Sequence, residues 1–207
     1  MLGPLIRVLV VGLVLLAAVS VMTVSFLGRE APDPVQATLF PEPRPLPEFV
    51  FTDQAGEAFD RVDFQGHYTL VFFGFTNCPD ICPLTLQILA DVRAGLKARK
   101  LEPPEVVFVS VDPERDDPAA ISRYLSYFDR EMTGLVAPSR TLSPLLDFFG
   151  VAVHEMESDG ESYNVTHTGA VFVVSPEAEY LAVFTTPGPA DEVLRDFLII
   201  RRAAEAS

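Results

Sequence analysis

The chain has 207 residues, 49 % hydrophobic and 21 % charged, a composition that excludes wholesale disorder. Its 29 acidic against 15 basic residues give a net charge of −14, which argues against nucleic acid as a partner. Two cysteines and three histidines exclude a disulfide-dense scaffold and an all-cysteine zinc site.

No charged residue occurs from Val8 to Leu27, a run of 20 residues. That length suits a helix crossing the ~30 Å hydrocarbon core of a bilayer. A cleaved signal peptide carries a shorter apolar region, so the run reads as an uncleaved single-pass anchor over residues 1–29. Arg7 on the N-terminal flank places the N-terminus in the cytoplasm and the rest on the extracytoplasmic side. Residues 30–48 follow, with Pro32, Pro34, Pro41, Pro43, Pro45 and Pro47. Alternating prolines fix φ and remove backbone donors, so this stretch is expected to be an extended tether, with a disordered linker as the alternative.

The remainder is expected to form one domain over 49–202, closed by a short tail, 203–207. Phe49 to Phe59, with Gly56 in its turn, predicts a hairpin. Tyr68 to Phe75 and Val106 to Val111 are apolar runs suited to strands buried on both faces. Helices are expected over Pro83–Lys100, Pro118–Phe128, Thr141–Phe149 and Pro189–Arg202, the third capped by Thr141 or Ser143. Leu135 to Ala137 is a short strand candidate. Gly169 to Val174 and Tyr180 to Phe184 predict a closing antiparallel hairpin. Alternating strands and helices with an antiparallel end imply an α/β sandwich around a mixed sheet.

Both cysteines lie in Asn77-Cys78-Pro79-Asp80-Ile81-Cys82-Pro83, a Cys-x-x-x-Cys motif between a strand and a helix. Pro83 is best tolerated in a first helical turn, which puts Cys82 in or beside that turn. Side chains four apart on a helix lie ~5–6 Å from each other, so two sulfurs can converge on one ion or close into a disulfide. A disulfide over so short a loop gains little loop entropy, so chemistry is the stronger reading. The helix N-terminus is expected to favour ionisation of both thiols. Two thiolates leave a metal under-coordinated, and soft thiolates with imidazole suit copper. His167 is the candidate third ligand, in a loop before a strand. His67 and His154 read as turn and surface residues. Asp112 reads equally as a carboxylate near the site and as the opening of an Asp-Pro turn. Asp80 reads as support for the helix N-terminus.

These residues resemble the Sco/SenC family of copper proteins. The resemblance rests on Phe73 to Pro83, on Val111-Asp112-Pro113-Glu114-Arg115-Asp116, and on the histidine of Tyr163 to Gly169. It implies a thioredoxin-like fold and a copper site of Cys78, Cys82 and His167, holding Cu(I) and also Cu(II). It implies delivery of copper to the CuA centre of cytochrome c oxidase, with the CuA-bearing subunit as partner and a further periplasmic copper chaperone as a second one. The alternative is a thiol–disulfide oxidoreductase that reduces the cysteines of that subunit or of another exported partner, with Cys78 and Cys82 closing into a disulfide. On the first reading the chain is a metallochaperone rather than an enzyme, held at the inner membrane with its domain in the periplasm. Asn77 and Thr166 depart from the common family forms, which have histidine and aspartate there; neither is a primary ligand.

Overall fold

The structure is a computed structural model that describes residue 3 and residues 9–17, 34–156 and 164–206. The chain divides into two compact units, 1–33 and 34–207. In the first, residues 9–17 are helical. The rest of the apolar run expected to be an anchor lies outside the described residues. Among the described residues no helix is long and apolar enough to cross a membrane.

The second unit is built on an eight-stranded mixed sheet. Its centre is β4 (Thr69–Gly74), every residue of which is buried. β4 runs parallel to β5 (Glu105–Ser110), which runs parallel to β6 (Thr133–Val136). The continuous apolar runs of β4 and β5 follow from coverage on both faces. Towards one edge, β9 (Val171–Val174) and β10 (Glu179–Phe184) add antiparallel, and β1 (Ala37–Pro45) closes that side against β10. Towards the other, β2 (Val50–Asp53) and β3 (Ala58–Asp60) form the expected hairpin.

β1 corrects the reading of 30–48 as a tether over 37–45; residues 30–33 lie outside the described residues. Residues 37–45 are an edge strand, paired from Ala37 to Leu39 and again at Arg44 and Pro45, with an irregularity between. Prolines are tolerated on an edge, where an absent N–H can face away from the sheet. The strand is also tied at its start. The Gln36 N–H donates to Asp196 Oδ2 at 2.6 Å, and the Ala37 N–H to the same oxygen at 3.3 Å. Asp196 itself is fully buried.

Among the described residues, four α-helices cover the sheet. α1 (Ile81–Ala98), α2 (Pro118–Leu125) and α4 (Ala190–Glu205) share one face, where Leu86, Leu89, Val92, Phe108, Ile121, Phe184, Phe197 and Ile200 make a core. α3 (Ser139–Phe149) lies on the other face, where Leu142, Leu145 and Phe149 pack with Phe73, Phe172 and Tyr180. α1 starts two residues before its expected start, and α4 runs on through most of the expected 203–207 tail. α3 is not capped by Thr141 or Ser143. It begins at Ser139, and the Pro138 carbonyl takes the Thr141 and Leu142 N–H groups. α2 has a cap of the standard kind: the Ala120 N–H donates to Asp117 Oδ1 at 2.7 Å, with Pro118 in the first turn.

Inside this apolar frame α1 buries a guanidinium. Arg93 is 1 % exposed. Its Nε donates to Asp129 at 2.8 Å and its Nη2 to Glu131 at 2.6 Å, and Nη1 donates to the Pro104 carbonyl. One side chain thereby joins the helix to the segments that lead into β5 and β6.

A second sheet was not expected from the sequence. β7 (Val153–Met156) and β8 (Asn164–His167) form a separate antiparallel pair in which Val153 faces His167.

Candidate metal centre

The site forms where β4 ends and α1 begins. Gly74 is the last residue of β4, and its backbone carbonyl takes the Val111 N–H at 2.8 Å. The chain then turns: the Cys78 N–H donates to the Phe75 carbonyl at 3.2 Å. Asp80 occupies the position before α1, without a side-chain capping bond. Cys82 and Pro83 fall in the first turn, where an absent N–H breaks no intrahelical bond. Cys82 is fully buried, while Cys78 sits half-buried on the loop.

β8 brings in the third residue. His167 Nε2 stands 3.3 Å from Cys82 Sγ. His167 Nδ1 lies 3.0 Å from the Thr168 carbonyl. A carbonyl only accepts, so Nδ1 carries the proton and Nε2 turns its lone pair to the sulfur. The imidazole packs edge-on against Phe72 and Phe75, with centroids 6.0 and 5.8 Å away. The candidate ligand atoms of Cys78, Cys82 and His167 all lie within 4.8 Å of one another. Two thiolates each ~2.3 Å from one ion span at most about 4.6 Å, so a small closure brings all three onto one centre. Two sulfurs and a neutral imidazole nitrogen form a donor set suited to Cu(I).

Burial sets the protonation states. It pushes the Cys82 thiol far up, helped by the neighbouring Cys78 thiol and opposed by the Phe75 backbone. The expected ease of ionisation at a helix N-terminus is therefore overturned at Cys82, because desolvation outweighs the helix dipole. Burial also pushes His167 below its ordinary value, against the pull of the Thr168 carbonyl, which keeps the imidazole neutral and available as a donor.

The other sequence candidates fall elsewhere. Asp112 is buried, takes the Arg115 Nε in an ion pair, and accepts the Arg115 and Asp116 N–H groups on its carbonyl, as a turn residue does. His154 is exposed on the β7–β8 hairpin. His67 lines a small cavity with Glu102, Arg201 and Glu205, apart from the cysteines. Sequence reading missed the support beneath the site. The aromatic floor of Phe72 and Phe75 was legible only as strand hydrophobicity.

Gly74 shows how tightly the floor is built. A Cβ there would lie 2.9 Å from Cys82 Sγ, 2.7 Å from Phe108 and 3.2 Å from Phe72. Gly74→Ala is expected to cost about 1–3 kcal/mol by overpacking and to displace the Cys82 sulfur. Thermal unfolding and a copper titration check it; a variant that matches its parent in both would show that the floor yields.

A thioredoxin-like mixed α/β fold, with two cysteines and one histidine gathered beside the end of its central strand, defines the class to which this domain belongs. The chain belongs to the SCO1/SenC family, whose model matches residues 41–200. It is 32 % identical over 164 residues to a protein of Stutzerimonas stutzeri named for copper binding, covering 79 % of this chain and 80 % of that one. It is 32 % identical over 148 residues to the mitochondrial SCO2 homolog of Homo sapiens, covering 70 % of this chain and 56 % of that longer protein. The crystal structure of Arabidopsis thaliana ScoI with copper bound superposes with a TM-score of 0.72 at 26 % identity, over 75 % of this chain and 97 % of that one.

Proposed function

We propose that the chain is a membrane-anchored copper chaperone. It binds one copper ion through Cys78, Cys82 and His167 and delivers it to the CuA centre of cytochrome c oxidase during assembly. The convergence of three ligand atoms within 4.8 Å is the observation that carries this reading. Membership of the SCO1/SenC family and the copper-bound relative support the choice of metal. The apolar run from Val8 to Leu27 supports an anchor in the inner membrane, with the domain on the periplasmic side.

A transfer protein must release what it binds. Two thiolates can hold Cu(I), and thiol–disulfide exchange with a partner disulfide, which is reduced to two thiols as Cys78 and Cys82 join, would release it. The test is metal analysis of the copper-loaded chain, with absorption spectra of its Cu(II) form. One copper per chain and a thiolate-to-Cu(II) charge-transfer band are expected. A chain that holds no copper after loading under reducing conditions would overturn the proposal.

The closely placed cysteine pair also suits a second reading, reduction of a partner's cysteines. That chemistry uses Cys78 and Cys82 and has no need of His167. Oxidase assembly in cells carrying His167→Ala separates the two: full activity favours the reductase, and its loss favours copper delivery.

A further inference from the structure

Of the three candidate ligands, Cys78 alone lies outside regular secondary structure; Cys82 is held by α1 and His167 by β8. Something must fix the loop that carries it. The residue two positions before it, Thr76, is gripped from across the sheet. Its N–H donates to Asp116 Oδ2 at 3.1 Å and its hydroxyl to Asp116 Oδ1 at 2.5 Å. The same carboxylate takes the hydroxyl of Ser110, the last residue of β5, at 2.6 Å. The Ser110 Oγ in turn accepts the Asp112 N–H at 3.1 Å, and the Asp116 N–H donates to the Asp112 carbonyl at 3.0 Å. Asp116 is only 3 % exposed.

We propose that Asp116 is a positioning residue for the metal centre, a buried carboxylate that clamps the Phe75–Cys78 loop to the end of β5 and so sets where the Cys78 sulfur stands relative to Cys82 and His167. This rests on the reading of Cys78 as a ligand. Burying a carboxylate is a costly way to join two segments if stability alone is at stake, since apolar packing serves as well. Its return is geometric. One planar group fixes a backbone amide and two hydroxyls, which defines the height and orientation of the loop at several points. Groups that orient metal ligands in this way are typically worth about 10–100-fold in metal affinity.

The test compares Asp116→Ala, Asp116→Asn and Thr76→Val with the parent chain in two measurements. The first is Cu(I) affinity, by competition with a chromophoric chelator. The second is the alkylation rate of the reduced, copper-free protein, which reports Cys78 because Cys82 is fully buried. Asp116→Ala is expected to lower affinity by about 10-fold or more and to speed alkylation. Asp116→Asn keeps an acceptor for Thr76 and a polar partner for Ser110. It is expected to stand closer to the parent than to the alanine variant in both. An alanine variant that folds, binds copper with the parent's affinity and labels at the parent's rate overturns the proposal. If Asp116→Ala does not fold, Thr76→Val decides. It removes only the hydroxyl half of the grip, so a smaller shift in the same direction is expected, and parent-like values overturn the proposal. A parent chain that binds no copper would sink the copper reading instead, and the alkylation rates would still judge the clamp.

Discussion

Replacing His167 by alanine is expected to lower copper affinity by more than about 100-fold, beyond the range for groups that merely orient a ligand. It is also expected to abolish the thiolate-to-Cu(II) band. The imidazole supplies the one nitrogen donor of the cluster, already neutral and already turned towards Cys82. Without it two sulfurs remain, a set that suits Cu(I) far better than Cu(II). The fold should survive. The ring contributes edge contacts to Phe72 and Phe75 and one bond to the Thr168 carbonyl, so a cost of about 1 kcal/mol is expected. Titration with copper and a thermal melt of the same preparation separate the two effects. Parent-like copper affinity in a folded His167→Ala chain would remove His167 from the site.

The second large effect is one of stability. Arg93→Met is expected to cost about 3 kcal/mol, the low end for breaking a buried ion pair. The low end applies because Asp129 and Glu131 keep side-chain exposures of 19 and 62 % and can be rehydrated. The Pro104 carbonyl, by contrast, loses a donor inside the protein. For a domain of this size that cost corresponds to a fall of about 6–12 °C in melting temperature. Lysine in the same place cannot reach three acceptors at once and should recover only part of the loss. A fall of less than about 2 °C would mean that the network relaxes without cost. The same cluster sets an acid limit. Burial pushes the Asp129 carboxyl up, but the Glu131 N–H and the Arg93 guanidinium outweigh it and hold the group below its ordinary value. A depressed carboxyl stabilises the fold above its unfolded value, near pH 4, and this contribution is lost as pH falls through the lower folded value. Stability of the parent should therefore decline below about pH 4, and less steeply in Arg93→Met.

Much of the fold could be read from the chain because its central strands are hidden on both faces. The unbroken apolar runs of β4 and β5 and the helical spacing of Leu86, Leu89, Val92 and Leu96 admit few other arrangements. The site was legible for a different reason. Cys-x-x-x-Cys followed by Pro83 fixes a helix start, and few histidines compete for the third place. What escaped is what depends on neighbours far away in sequence. β1 is strand only because β10 offers it an edge; its own prolines speak for extension without pairing. β7 and β8 are short and pair with each other, so neither carries a strong pattern. The ionisation of Cys82 turned on burial by the surrounding core, which motif spacing does not encode. Asp116 lies 40 residues from the threonine it holds, and the motif around it drew attention to Asp112 instead.

The pairing of β1 with β10 also bears on where this protein can be cut. A fragment begun at Phe49, after the last of the alternating prolines, would strip β10 of its neighbour and bare a row of backbone donors and acceptors, the kind of surface along which chains stick to one another. It would also take away the two amides that Asp196 now receives, leaving a buried carboxylate poorly satisfied. A form suited to handling in solution therefore starts near Pro34, and the proline-rich stretch from there on belongs to the folded body it was read as merely holding at a distance.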